Sequence, residues 1–157
     1  MKIFLDTANL EEIRQGVAMG VVDGVTTNPS LVAREGKPFR EHILDICGIV
    51  KDGVVNAEVV STDFEGILRE GRELATWHPN VVVKIPMLPD GVRALSVLSK
   101  EGIRVNVTLV FSAPQALLVA KAGAYFVSPF VGRLDDTGAD GLVLLREIME
   151  IYRAYQF

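Results

Sequence analysis

At 157 residues, 49% hydrophobic and 23% charged, the chain has room for one globular domain with a real core and is too apolar for a disordered tail. Its 16 basic and 20 acidic residues give a net charge of −4 with no basic block, which argues against nucleic acid and leaves small molecules as partners. The single cysteine, Cys47, excludes an intrachain disulfide, and no apolar run is long enough for a signal peptide or a membrane span of about 18 residues, so the expected location is the cytoplasm.

Short β-branched runs alternate with amphipathic stretches from one end to the other. Lys2–Asp6 predicts a strand, followed by a helix over Leu10–Met19 that starts from a cap at Asn9. Gly24–Asn28 predicts the second strand and Phe39–Val50 the next helix. Val54–Val60 is the third strand, and Asp63 caps a helix over Phe64–Thr76. Val81–Pro86 and the helix Gly91–Lys100 follow, the latter closed by Gly102. Arg104–Leu109 leads to a helix over Ala113–Ala122, capped by Ser112 and ended by Gly123. Tyr125–Phe130 is the sixth strand, and Leu142–Tyr155 the last helix.

Six strand–helix units at about 26 residues each have the spacing of a parallel sheet with crossover helices. Either the chain holds part of a (β/α)8 TIM barrel, which needs eight units and typically about 250 residues, or the sheet is open and doubly wound. The polar residues favour the barrel. Asp6, Thr26, Asn28, Glu58, Lys84, Asn106, Thr108 and Ser128 all fall at or near the carboxyl ends of predicted strands, where barrel active sites are built. Residues two apart on a strand share a face, so Thr26 with Asn28, Asn106 with Thr108, and Ser128 with Phe130 form aligned pairs.

Lys84 stands out because it interrupts the run Val81-Val82-Val83-Lys84-Ile85-Pro86. Burial there penalises the ammonium form and favours a neutral amine that can attack a ketone, giving an iminium that accepts electrons from the adjacent carbon–carbon bond. On that reading Lys84→Met abolishes activity and leaves folding intact or improved. The plainer alternatives are a lysine that snorkels or one that pairs with a carboxylate such as Glu58. Asp6 could equally cap the following turn, Arg133 could pair with Asp135 or Asp136, and Phe130 could simply pack. Gly24, Gly132 and Gly138 read as turn formers, His42 and His78 as residues without a partner, and Cys47 as core. No His, Cys and carboxylate spacing suits a metal.

The chain resembles the transaldolase family, in particular its short bacterial and archaeal branch, through five segments. They are Phe4-Leu5-Asp6-Thr7-Ala8, Gly24-Val25-Thr26-Thr27-Asn28-Pro29-Ser30, Val82-Val83-Lys84-Ile85-Pro86, Gly102-Ile103 through Thr108, and Ser128-Pro129-Phe130-Val131-Gly132-Arg133. The resemblance implies Schiff-base transfer of a dihydroxyacetone unit between sugar phosphates, with no metal or organic cofactor. Sedoheptulose 7-phosphate and glyceraldehyde 3-phosphate would exchange with erythrose 4-phosphate and fructose 6-phosphate. It implies that Lys84 forms the Schiff base and that Asp6 is the acid/base at the donor's C4 hydroxyl. Glu58 and Thr108 would hold a proton-shuttling water. Thr26, Asn28, Asn106 and Ser128 would line the dihydroxyacetone pocket, beside Phe130, and Arg133 would meet phosphate. A homo-oligomer, a decamer or pentamer, is implied as well.

Fructose-6-phosphate aldolase is the nearest alternative. It carries glutamine and tyrosine where this chain has Glu58 and Phe130, so those two positions, with Asn106, favour transaldolase. A phosphosugar isomerase would use Glu58 as an enolising base but has no need of a lysine among valines. A non-catalytic fragment or oligomerisation module is the third reading. Relative to the branch's eight units, the expectation is a single β/α barrel domain over residues 1–157 that lacks the last two. The serine of the seventh strand, the arginine beyond it and the C-terminal helix that locks neighbouring subunits would be missing.

Overall fold

A computed structural model describes residues 2–157. The elements run β1 (Phe4–Asp6), α1 (Leu10–Ala18), β2 (Gly24–Thr26), α2 (Pro29–Arg34), α3 (Phe39–Ile49), β3 (Val54–Glu58), α4 (Phe64–Trp77), β4 (Val81–Pro86), α5 (Pro89–Lys100), β5 (Val105–Val110), α6 (Ala113–Lys121), β6 (Phe126–Pro129), α7 (Val131–Asp136) and α8 (Gly141–Tyr155). They form two compact units. The first holds the residues up to Ser61 together with Arg69–Lys84; the second holds Thr62–Leu68 and Ile85–Phe157.

In the first unit the strands are parallel and follow chain order, β1-β2-β3-β4. A doubly wound sheet places its first strand inside the order, where the winding reverses; here β1 pairs with β2, β2 with β3 and β3 with β4. That is the consecutive topology of a β/α barrel, so of the two architectures open to the sequence it is the barrel type that forms. Val25, Val55, Ala57, Val82 and Val83 are buried strand residues, and Ile13, Val32, Ile43, Ile46 and Leu74 are buried on the helices. In the second unit β5 and β6 pair in parallel, with Val105, Val107 and Val110 buried on β5 and Leu95, Leu98, Val119, Leu144 and Ile148 on the helices.

Caps set the helix starts as the sequence suggests. Asn9 accepts from Glu11 N and Glu12 N, Asp63 from Gly66 N, and Ser112 from Gln115 N. Gly102 and Gly123 take positive φ of 79° and 99° just past helix ends, where a side chain would be strained.

Four expectations need correction. Asn28 is not a strand residue: β2 ends at Thr26 and Asn28 is the N-cap of α2, its Oδ1 accepting from Leu31 N with Pro29 opening the helix. Gly24 is not a turn former but the first residue of β2, where a Cβ would lie 2.6 Å from the Val54 carbonyl oxygen. Gly132 lies inside the short helix α7, whereas Gly138, at φ 82°, does form a turn. His42 and His78 both have partners: His42 Nε2 binds the Ala8 carbonyl, and His78 Nδ1 accepts from Asn80 N.

Candidate active site

In the first unit, strand register decides which side chains share a face. Asp6 pairs with Thr26, Thr26 with Asn56, and Glu58 with Lys84. Paired residues of adjacent strands point the same way, as do residues two apart on one strand. Asp6, Thr26, Asn56, Glu58 and Lys84 therefore project from one face of the sheet.

Lys84 is 7% exposed. Its Nζ lies 3.0 Å from Glu58 Oε2, and the two side chains are 9% and 17% exposed. Nζ also donates to the Thr27 carbonyl at 3.1 Å. Withdrawing an ammonium from water costs several kcal/mol unless a counter-charge and hydrogen bonds replace its hydration, and Glu58 with Thr27 supplies both. Thr27 is itself held: its N and Oγ1 donate to the Asn56 carbonyl at 3.2 and 2.8 Å, and Asn56 Nδ2 donates to the Val25 carbonyl at 3.4 Å. The lysine thus bears on a turn fixed by the two preceding strands. The carboxylate pairing weighed from sequence is what forms, and it coexists with the buried lysine. Asp6 is exposed at the end of β1, and the cap of α1 is Asn9 instead. A cavity of about 170 Å³ beside β3 reaches Glu58, but its other walls include Phe39, Val60, Leu74 and Trp77, and neither Lys84 nor Asp6 lines it.

In the second unit, Asn106 and Thr108 are buried two apart on β5. Ser128 Oγ donates to Asn106 Oδ1 at 2.9 Å, joining two residues picked out on different strands. The Thr108 hydroxyl is buried and has no hydrogen-bond partner among the described residues. Directly after it, Leu109 adopts φ 62° where the β5–β6 register shifts, so the strand bulges and the Leu109 side chain turns outward. Phe130 N donates to the Val110 carbonyl, and its ring meets Phe111 edge-to-face at 5.3 Å. Arg133, on α7, pairs with Asp136 at 3.3 Å with their side chains 73% and 66% exposed, a solvent-screened contact from which the guanidinium is readily drawn away. Among the described residues no group of three or more His, Cys, Asp or Glu side chains could hold a metal ion, and no helix is long and apolar enough to cross a membrane.

The profile of the Transaldolase/Fructose-6-phosphate aldolase family matches residues 3–157. The chain belongs to that family. Proteins named "Probable transaldolase" are similar to it throughout. The one from Carboxydothermus hydrogenoformans is 59% identical over 157 residues, covering 100% of this chain and 73% of that protein. The one from Herpetosiphon aurantiacus is 61% identical over 155 residues, covering 99% and 70%. That from Methanococcus vannielii is 61% identical over 155 residues, covering 99% and 72%.

Within this transaldolase/aldolase frame, sequence reading missed Thr27 and Asn56. Thr27 contributes a backbone carbonyl, which no side-chain pattern reveals. Asn56 carried a usable signal, since it interrupts an apolar strand two residues before Glu58, the same spacing that marked Asn106 and Thr108.

Proposed function

We propose that the chain is a class I transaldolase, transferring dihydroxyacetone between sugar phosphates through a Schiff base on Lys84. The observation that carries this reading is the amine buried on β4 in contact with a carboxylate, on the face that Asp6 and Thr26 share. In the proposed cycle Glu58 takes a proton from the Lys84 ammonium, and the freed amine adds to C2 of fructose 6-phosphate. The carbinolamine loses its hydroxyl as water, Glu58 returning the proton, and an iminium results.

Asp6 then removes the proton from the C4 hydroxyl. The C3–C4 bond breaks, its electron pair moves towards the iminium nitrogen to give an enamine, and glyceraldehyde 3-phosphate leaves. The enamine carbon adds to the aldehyde of erythrose 4-phosphate while Asp6 protonates the new alkoxide. Hydrolysis frees sedoheptulose 7-phosphate and the lysine. The family resemblance assigns Thr108, whose buried hydroxyl has no partner among the described residues, to the proton relay. Thr26, Asn28, Asn106 and Ser128 hold the dihydroxyacetone hydroxyls, with Phe130 beside them, and Arg133 exchanges Asp136 for substrate phosphate. Asn28 offers its Nδ2, because Oδ1 is committed to Leu31 N.

The test is to incubate the protein with fructose 6-phosphate, reduce with borohydride and map the modified peptide by mass. An adduct on Lys84 supports the aldol class; a folded protein that gains none overturns it. Adding erythrose 4-phosphate and assaying sedoheptulose 7-phosphate then separates transfer from simple aldol cleavage, in which free dihydroxyacetone accumulates.

A further inference from the structure

His42 is 1% exposed on α3, on the same buried stretch as Ile43, Ile46 and Cys47. Its Nε2 lies 2.6 Å from the carbonyl oxygen of Ala8, 34 residues earlier in the chain. A carbonyl only accepts, so Nε2 carries the hydrogen, while Nδ1 is buried without a hydrogen-bond partner among the described residues. A side chain present merely to fill space would be apolar here. What the imidazole adds is one directed donor.

The acceptor's position gives that donor its meaning. Ala8 lies two residues past Asp6, in the turn between β1 and α1, and is itself 2% exposed. The helical ladder of α1 opens at the Asn9 carbonyl, which receives Ile13 N, so the Ala8 carbonyl falls outside it. The other side-chain ties of the turn are local. Thr7 Oγ1 accepts from Asn9 N and donates to Glu12, and Asn9 Oδ1 caps α1. These bonds let the turn move as one piece with α1. Among the described residues, the His42 bond is the hydrogen bond that ties Thr7–Asn9 to an element beyond α1. On its strand side Asp6 is held by pairing with Thr26; on its turn side the long-range anchor is His42.

We infer that His42 is a positioning residue for Asp6, fixing, through the Ala8 carbonyl, the turn that directly follows the strand end bearing the carboxylate. This rests on the proposed role of Asp6 at the C4 hydroxyl. Proton transfer concerted with bond cleavage demands a carboxylate placed within a fraction of an ångström, whereas Schiff-base formation at Lys84 does not involve Asp6. The two steps should therefore respond differently when the anchor is lost.

The experiment compares His42→Leu, which fills the space without a donor, with His42→Gln, whose amide nitrogen reaches about as far as Nε2. Three quantities are measured on each: thermal unfolding, trapping of dihydroxyacetone on Lys84 by cyanoborohydride, and turnover of fructose 6-phosphate with erythrose 4-phosphate. His42→Leu is expected to trap dihydroxyacetone as the parent does while kcat falls roughly 10- to 100-fold with little change in KM. His42→Gln is expected to recover most of that loss. The inference is overturned if His42→Leu keeps parental turnover, if trapping and turnover fall together in step with the folded fraction, or if His42→Gln rescues stability but not kcat. Should His42→Leu fail to fold, His42→Asn, polar but too short to reach Ala8, takes its place with the same expectations. A parent protein that traps no dihydroxyacetone sinks the functional reading and this one with it; a parent that traps and turns over beside an unaffected variant sinks this one alone.

Discussion

Glu58 and Lys84 are cross-strand neighbours on β3 and β4, their charged atoms 3.0 Å apart and both side chains largely withdrawn from water. Neither is comfortable there without the other. The lysine supplies the counter-charge for a half-hidden carboxylate, and the carboxylate offsets the cost of burying an ammonium.

This pairing changes what Lys84→Met should do. From the strand alone the substitution is expected to leave folding intact or improve it, because it removes a buried amine. With Glu58 in contact, it instead strands a carboxylate and leaves the Thr27 carbonyl without its donor. Lys84→Met and Glu58→Gln should each lower stability by roughly 1–3 kcal/mol, and the double variant should lose less than the sum. Urea unfolding of the four proteins checks this; strictly additive losses would mean the pair contributes nothing.

Glu70 makes stability depend on pH. Burial pushes its carboxyl up, but hydrogen bonds from the Ser61 hydroxyl, Ser61 N and Val60 N, together with nearby Arg69, outweigh that and hold it below the ordinary value of 4.5. A depressed carboxyl contributes stability that is present above its unfolded-state value and disappears as pH falls through the folded one. Glu70→Gln should therefore be less stable than the parent at neutral pH, with the gap closing below about pH 4.5. A gap that stays constant down to acid pH would show that the charge is not what holds the Val60–Ser61 turn.

Cys47 should be chemically silent in the folded protein. Burial raises its thiol to about 11, and the side chain is 2% exposed, so the reactive thiolate is both scarce and hidden. Iodoacetamide labelling followed by intact mass should proceed only at the rate of unfolding and accelerate sharply in urea. Fast labelling without denaturant would place the thiol at the surface.

Gly24→Ala should be costly even though alanine generally suits a strand no worse than glycine. The new Cβ would lie 2.6 Å from both the Val54 carbonyl oxygen and the Phe4 ring, and the carbonyl belongs to a paired strand that cannot easily move. A loss of roughly 1–3 kcal/mol is expected, read as a lowered melting temperature. A neutral outcome would mean that β2 and β3 can separate without penalty.

How much of this was legible in the sequence varies with what each feature depends on. β4 could be bounded to the residue because its valine run has no competing period, and the α1, α4 and α6 starts because Asn9, Asp63 and Ser112 are local caps. The helix α2 was missed although Asn28-Pro29 is an N-cap followed by a first-turn proline. Six residues show too little periodicity, and the polar Asn28 was read as a strand end. Gly132 was misassigned because the six-residue α7 is likewise too short to show a period, whereas the need for glycine at position 24 comes from the Val54 carbonyl across from it.

The sequence by itself determined the parallel βα alternation, the family and, Asn28 apart, the polar residues carried on the strands, because those rest on periodicity and on residue types at fixed spacing. Only the tertiary structure decided that Glu58 meets Lys84, that Lys84 holds the Thr27 carbonyl, that Ser128 meets Asn106 and that His42 reaches Ala8. Each of those contacts joins residues at least 22 positions apart in different βα units, and three of the four have a backbone oxygen or a diagonal neighbour as partner. Such contacts are set by strand register and helix placement, which no local pattern of side chains encodes.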